Sequence, residues 1–246
     1  MSEKYDLEYF DSFSGSSRTS AEVIVPIVCR WVNPRSVIDL GCGPGIWLSV
    51  WREAGCEIRG VDGDWIDPRR LAIPREAFIT HDLSTTYVPD RTYDLAMSVE
   101  VAEHLPPDAA RPLIGALTAA APVVLFSAAI PHQPGRNHVN SQWPDYWAGL
   151  FAENGYVVID ALREMLWEDA RVDWWYQQNI MLFADEAHLH RSPALQAIRR
   201  DRTRPPLRLV HPILFNTWVE WGIAESERYW ELRAEIDRDD VTPSRA

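Results

Sequence analysis

The sequence contains only three cysteines: Cys29, Cys42 and Cys56. Their number is odd and their spacing matches neither a disulfide framework nor a metal-ligand motif, which favours a reducing, intracellular setting. Positive charge is also scarce, because 24 lysines and arginines stand against 36 acidic residues and leave a net charge of −12. This balance argues against a nucleic-acid surface, since phosphate binding depends on clustered positive charge.

Long apolar runs are missing as well. The first residues, MSEKYDLEYFDSFSG, carry charges where a signal peptide needs an uninterrupted apolar core, and we find no apolar window long enough to span a membrane. We therefore expect a cytoplasmic protein without membrane or nucleic-acid partners. The chain has 246 residues, 46% of them hydrophobic, which suits one α/β domain with additions.

Glycine is sparse too, with 12 residues, yet three fall within five positions of the stretch VIDLGCGPGIW at 37–47. The apolar run before them predicts a strand, and residues 46–54 predict a helix. A glycine-rich turn between a strand and a helix presents free N–H groups at the positive end of the helix. It therefore favours a bound ligand, with a tight turn and close helix packing as the alternative.

The remaining pattern alternates strands with helices. A capping box at Thr19-Ser20-Ala21-Glu22 predicts the start of a first helix that runs toward Trp31. The predicted strands lie at 36–40, 56–61, 77–80, 93–99, 122–127, 156–160 and 179–183, and further helices at 108–120 and 143–153. This alternation is typical of right-handed βαβ units and a mostly parallel sheet.

From residue 185 the composition changes. Residues 191–208 are rich in arginine and contain Pro205-Pro206, which predicts a linker or an exposed helix. Residues 207–221 are apolar again and predict a packed helix, and the last residues predict a disordered tail. We expect a ligand-binding domain over 1–185 and a C-terminal helical extension over 186–246. The sequence is equally compatible with two roles for this extension, a homodimer contact and a lid over the site.

An acid follows the second predicted strand. Asp62 lies about 20 residues after the glycine turn, where an acid can accept hydrogen bonds from ribose hydroxyls. The glycine spacing is Gly41-x-Gly43-x-Gly45 with Asp39 before it, which is not the dinucleotide pattern. With this motif the sequence resembles the class I S-adenosylmethionine-dependent methyltransferases.

Four motifs in order carry the resemblance, which covers residues 36–183. They are DLGCGPG at 39–45, the acid at 62, HDL at 81–83, and YDL at 93–95 with SVEVAEHL at 98–105. The resemblance implies a Rossmann-like sheet of seven strands with helices on both faces and the last strand antiparallel. It also implies S-adenosylmethionine (SAM) as the cofactor.

The same resemblance implies the cofactor contacts. Asp39 and the three glycines would border the methionine end, Asp62 the ribose, and Asp82 with Leu83 the adenine. Glu100 would contact the cofactor from the loop after the fourth strand. Arg18, beside the first helix, is a candidate partner for the methionine carboxylate, with an exposed charge as the alternative. The candidate cofactor-binding residues are Arg18, Asp39, Gly41, Gly43, Gly45, Asp62, Asp82, Leu83 and Glu100.

Two loops supply the candidate catalytic and substrate-binding residues. His104 follows the fourth strand and is a candidate general base, although it and Glu103 would serve equally to hold the loop. The polar loop at 131–140 is typical of a binding loop, and its His138 and Asn140 are candidates to orient a substrate. A solvated surface loop is the alternative. His132 and His138 lack an obvious third ligand, so we expect no metal.

Tryptophan is abundant, with 12 residues. Most should lie in the core, yet an aromatic wall can stabilise a cation such as a sulfonium. Tyr176 is the candidate for that role, and Trp175 for a substrate contact.

Three functions remain open at this point. One is methyl transfer to a small-molecule acceptor, which we expect to belong to secondary metabolism. The segment 137–179 is also similar to azetidine-2-carboxylate synthases, which share the fold. In those enzymes the amino nitrogen of SAM attacks its own γ-carbon, giving azetidine-2-carboxylate and methylthioadenosine. The third is a non-catalytic scaffold that binds the cofactor.

Overall fold

The computed structural model describes residues 7–199 and 208–239. Its contacts divide the chain into two units, one up to Leu209 and one from Val210. The strands of the first unit are β1 Ser36–Leu40, β2 Glu57–Asp62, β3 Phe78–Thr80, β4 Leu95–Val99, β5 Val123–Ser127, β6 Tyr156–Ile159 and β7 Met181–Asp185. The described helices are α1 Leu7–Val32, α2 Ile46–Glu53, α3 Ala110–Ala120, α4 Pro144–Glu153, α5 Leu162–Leu166, α6 Trp174–Asn179, α7 Glu186–Arg191, α8 Pro193–Ile198 and α9 Pro212–Asp239.

The strands form one sheet in the order β3-β2-β1-β4-β5-β7-β6. Neighbours from β3 to β5 run parallel, and β7 runs antiparallel to both β5 and β6. The expected sheet, with its last strand reversed, is therefore confirmed. The strand order reverses direction between β1 and β4, and ligands of open α/β sheets bind beyond the carboxyl ends of strands at such a point.

Both faces of the sheet are covered by helices. On one face, Val37 and Leu125 pack with residues of α1 and α2, including the fully buried Trp51. On the other face, their strand neighbours Ile38 and Phe126 pack with α3 and α4. Successive strand residues point to opposite faces, so β1 and β5, which are buried along their whole length, contribute to both cores.

The first helix begins earlier than the sequence predicts. The expected N-terminal cap at Thr19 is wrong, because α1 already starts at Leu7. The Thr19 hydroxyl donates to the carbonyl of Gly15 one turn back, and Ser20 bonds to Asp173. These polar side chains make hydrogen bonds within the helix and to a distant part of the chain. Sequence spacing alone does not distinguish such residues from a helix cap.

The C-terminal elements also differ from expectation. β7 starts at Met181 because Asn179 still ends α6. α7 packs on β7 and α8 on α1, so the first unit continues beyond residue 185. α9 extends to Asp239, well past the expected end at residue 221. Residues 200–207, including the two prolines, and 240–246 lie outside the described residues. No helix that the structure describes combines the length and hydropathy needed to cross a bilayer.

Candidate functional site

The glycine turn after β1 adopts a backbone that other residues rarely take. Gly41, Gly43 and Gly45 have φ angles of 92°, 52° and 85°, all in the left-handed region. A Cβ at Gly41 would overlap the Val101 side chain, and one at Gly45 would lie 2.8 Å from Cγ1 of Ile73. Packing within the protein thus requires glycine at positions 41 and 45. This is what the alternative of a tight turn with close helix packing predicts.

Asp62 holds this turn from the end of β2. Its two carboxylate oxygens accept the N–H groups of Gly43 and Gly63, each at 2.7 Å. Burial raises the pKa of Asp62 to about 6, although these hydrogen bonds and one from Trp65 act in the opposite direction. A carboxylate has about four acceptor positions, and these three donors leave one of them for a ribose hydroxyl.

A cavity of about 300 Å³ lies beyond the carboxyl ends of β1 and β4. Eight of the candidate residues line it: Asp39, Gly41, Gly43, Glu100, His104, His138, Trp175 and Tyr176. The other candidates are absent from its described lining, namely Arg18, Gly45, Asp62, Asp82, Leu83 and Asn140. The cavity therefore combines the predicted methionine end of the site with both predicted substrate loops.

Several candidates outside the cavity are engaged elsewhere. Arg18 donates to Glu53 at 2.7 Å and pairs with Glu22 at 2.8 Å, so the structure does not bring its guanidinium to the site. Asp82 accepts the N–H of Ser84 at 2.9 Å, and Leu83 packs in the core. The Asn140 amide contacts Gln142 at 3.2 Å and the Ala102 carbonyl at 3.5 Å.

Asp39 is a buried acid without a complete set of partners. Its side chain is 3% exposed, and its Oδ1 atom has no hydrogen-bond partner in the described part of the chain. Burial, and then repulsion by Asp62, raise the pKa of Asp39 well above its ordinary value. A buried polar atom without a partner is costly, so a donor or a cation entering the cavity would be stabilised here.

Glu100 lies in a nest of amides that sequence reasoning missed. Its backbone is left-handed, with a φ of 54°, which is strained for a residue with a side chain. The carboxylate accepts Nδ2 of Asn179 at 3.1 Å and Nε2 of Gln133 at 3.2 Å, and Gln178 donates to Gln133 at 3.0 Å. Burial raises the pKa of Glu100 while these donors lower it. The polar run QQN before an apolar strand was the available signal.

The loop at 131–140 is fastened to the loop after β4. The N–H groups of Val139 and Asn140 both donate to the carbonyl of Glu103, at 2.8 and 3.0 Å. This contact places the His104 and His138 rings 4.9 Å apart. Burial, and then His138, lower the pKa of His104 to about 4, and burial lowers the pKa of His138. Both imidazoles are therefore neutral at neutral pH.

These residues form a cluster with metal-ligand character. The ligand atoms of Glu103, His104 and His138 lie within 4.8 Å of one another. The sequence suggested no third ligand for the histidines of the 131–140 loop, because the partners come from a loop about 30 residues earlier.

Tyr176, the candidate for an aromatic wall, lines the cavity. Its hydroxyl lies 3.3 Å from Oγ of Ser17 and 3.5 Å from Nε1 of Trp47. The Trp47 ring contacts the Tyr176 ring edge-on, with 5.2 Å between the ring centroids, and the centroid of the Trp175 ring lies 5.8 Å from that of Tyr176. Burial raises the pKa of Tyr176 to about 12, so the ring carries a neutral hydroxyl. Trp47 was not predicted, since its position in α2 also fits a core residue.

Residues 30–198 match a family model described as a methyltransferase domain. Among curated proteins, a malonyl-[acyl-carrier protein] O-methyltransferase of Pseudescherichia vulneris is 31% identical over 91 residues, 36% of each chain. A trans-aconitate 2-methyltransferase of Methylobacterium radiotolerans is 34% identical over 94 residues, 37% of this chain and 35% of that protein. The matched region thus spans about a third of these relatives.

Solved structures show the same fold at low identity. An O-methyltransferase family protein of Burkholderia thailandensis superposes with a TM-score of 0.54 at 17% identity, over 74% of this chain and 60% of that one. A magnesium protoporphyrin IX methyltransferase of Synechocystis, solved with bound S-adenosylhomocysteine (SAH), superposes with a TM-score of 0.53 at 17% identity. The superposition covers 74% of this chain and 89% of that one.

Proposed function

This chain belongs to the methyltransferase-domain family, and we propose that it transfers the methyl group of SAM to a small-molecule acceptor. Asp39 carries the proposal, because its buried carboxyl lines the cavity with one oxygen unpartnered. SAM has an ammonium group and a sulfonium, and either cation would offset the burial of this acid. The amide nest around Glu100 is a second acidic contact in the same cavity.

The sulfonium supplies a good leaving group, so the protein has mainly to hold SAM and align the acceptor. We assign the methionine end to Asp39 and the glycine turn, the ribose to Asp62, and the adenine to Asp82 with Leu83. Tyr176, with Trp47 beside it, would form the wall that stabilises the sulfonium.

The acceptor side of the proposal is carried by His104, His138, Asn140 and Trp175. A general base works best when its pKa lies near the working pH, and burial lowers the pKa of His104 to about 4. This low pKa therefore favours a role for His104 in holding the acceptor or a further ligand rather than in removing a proton. Secondary metabolism stays the expected setting.

The first experiment is calorimetric titration of the protein with SAM and with its product SAH. We expect both to bind, and Asp39→Asn to weaken SAH binding by about tenfold or more, because a charged hydrogen bond contributes about 1.5–3 kcal/mol. Glu53→Gln, a change of an acid outside the cavity, is the matched control. Failure of the wild-type protein to bind either compound would contradict the proposal.

The second experiment is incubation with SAM followed by mass spectrometry. A methylated product together with SAH, after screening small acceptors, would support methyl transfer. Release of methylthioadenosine with azetidine-2-carboxylate from SAM alone would replace it by the intramolecular reaction. Bound SAM that stays intact with every acceptor would instead indicate a scaffold.

A further inference from the structure

The Glu103, His104 and His138 cluster has a composition that suits a metal ion. Two imidazoles and one carboxylate are the ligands of many catalytic Zn²⁺ sites and of other transition-metal sites. Bonds of about 2.0–2.2 Å hold two such atoms no more than about 4.3 Å apart. In the tetrahedral arrangement of zinc the separation is about 3.3–3.6 Å. Since the ligand atoms already lie within 4.8 Å of one another, binding would draw them together by at most about 1.5 Å.

Glu103 provides an independent observation. Its side chain is fully buried and lines the cavity beside the Glu100 carboxyl group. Neither carboxyl oxygen of Glu103 has a hydrogen-bond partner of normal geometry among the described residues. Buried polar groups without partners are rare in native proteins and call for an explanation. A bound cation between Glu103 and the two imidazoles would provide one.

The surroundings of His138 also suit a ligand. Its Nδ1 atom lies 3.0 Å from the carbonyl oxygen of Gln133, a contact in which the ring N–H donates. Such a hydrogen bond to a backbone carbonyl fixes the tautomer of metal-binding histidines and leaves Nε2 as the ligand. A Cβ at Gly135 would overlap Nε2 of His138, so a larger residue at this position would displace the imidazole or cover Nε2.

We propose that Glu103, His104 and His138 bind a divalent transition-metal ion of the Zn²⁺ class, with its remaining coordination position open to the cavity. Three protein ligands with an open position are the arrangement of catalytic zinc rather than structural zinc. An oxygen of the acceptor binds the ion at this open position. This assignment of the acceptor as an oxygen ligand rests on the proposed methyl transfer, whereas metal binding itself does not.

The ion would activate the oxygen of the acceptor for attack on the methyl group. A metal-bound oxygen loses its proton far more readily than a free hydroxyl. The acceptor O–H bond then releases its proton to solvent, and the oxygen forms a bond to the methyl carbon. The carbon–sulfur bond breaks with its electron pair going to sulfur, which gives the methylated oxygen and SAH.

The test is titration of the metal-free protein with Co²⁺, which binds zinc sites and reports its coordination in the visible spectrum. We expect one ion per chain in the wild type and a loss of affinity of about 100-fold or more in His138→Ala. Changes in the second shell alone cost about 10–100-fold. His132→Ala, a histidine of the same loop outside the cluster, should bind as the wild type does.

Two further variants keep the test decisive. Gly135→Ala places a methyl group beside Nε2 of His138 and should weaken Co²⁺ binding even if His138→Ala misfolds. Equal Co²⁺ affinity of the wild type and of both variants, or no binding by the wild type, would overturn the metal site. SAH titration of the same variants separates this result from the proposed function, because a folded variant without metal should keep its SAH affinity.

The open coordination position is tested with acetohydroxamate, a small oxygen chelator. Its addition to the Co²⁺-loaded protein should change the visible spectrum. An unchanged spectrum would show a closed coordination shell and overturn the acceptor assignment.

Discussion

The proposed ribose contact of Asp62 predicts a pH dependence that can be isolated from the rest of the site. Methylthioadenosine contains the adenine and the ribose of SAM but lacks the amino-acid group. Its binding therefore reports on Asp62 without the ammonium that Asp39 would meet. We expect methylthioadenosine to bind about tenfold more weakly at about pH 5 than at about pH 7.5, because protonation of Asp62 removes the acceptor position that remains for a ribose hydroxyl.

The magnitude follows from the position of Asp62. Burial raises its pKa to about 6, so nearly all molecules carry the carboxylate at about pH 7.5 and about one in ten does at about pH 5. A tenfold loss corresponds to about 1.4 kcal/mol of binding free energy.

Protonation of Asp62 has the opposite effect on stability: it weakens ligand binding but stabilises the folded protein. Because the folded pKa lies above the ordinary 3.8, ionised Asp62 costs stability above about pH 6. That cost disappears as the pH falls toward about 4. Titration of this group therefore cannot weaken binding by unfolding the protein.

The assay is calorimetric titration at both pH values, with circular dichroism to confirm that the protein stays folded. Asp62→Asn is the control, and its weaker binding should be independent of pH over this range. A wild-type affinity that is equal at both values would refute the ribose assignment. So would an equal loss in the Asn variant.

Three further predictions concern single residues. Gly55→Ala should cost about 1–2 kcal/mol of unfolding free energy, because alanine is strained at its positive φ. Gly41→Ala should cost about 1–3 kcal/mol more, because its added methyl group would also overlap Val101. Equal shifts of the urea midpoint in the two variants would contradict this. Tyr176→Ala should reduce turnover more than SAH affinity if its ring stabilises the sulfonium; equal losses would indicate packing. Asn179→Ala removes a donor to Glu100 and should cost about 1–3 kcal/mol on thermal unfolding; an unchanged midpoint would refute it.

The sheet was predictable because its signals are local. Strands such as β1 and β5 are short apolar runs bounded by turns, and the glycine motif marks the turn after β1. The boundaries that failed depend on distant contacts. Ser20 reads as part of a cap, yet its hydroxyl bonds to Asp173, 153 residues later. Asn179 reads as the start of a strand, yet its amide is held by Glu100.

The site was predictable where one motif holds its residues together. Asp39, Gly41 and Gly43 are close in the chain and line the same cavity. The contacts that were missed join separate loops, as Gln133 and Asn179 do around Glu100. The cluster of Glu103 with the histidines likewise depends on backbone hydrogen bonds between two loops. Sequence spacing carries no record of such contacts.

The position of β7 makes the site a late product of folding. β7 follows β6 in the chain but lies between β5 and β6, so β6 joins the sheet only through its successor. The six residues before Ile180 form α6, which carries Tyr176 and Asn179 to the cavity. A ribosome-bound chain that ends before residue 181 therefore has neither its full sheet nor a closed cavity. Ligand binding at this cavity therefore depends on the last strand of the sheet, although the first unit continues beyond it through α7 and α8.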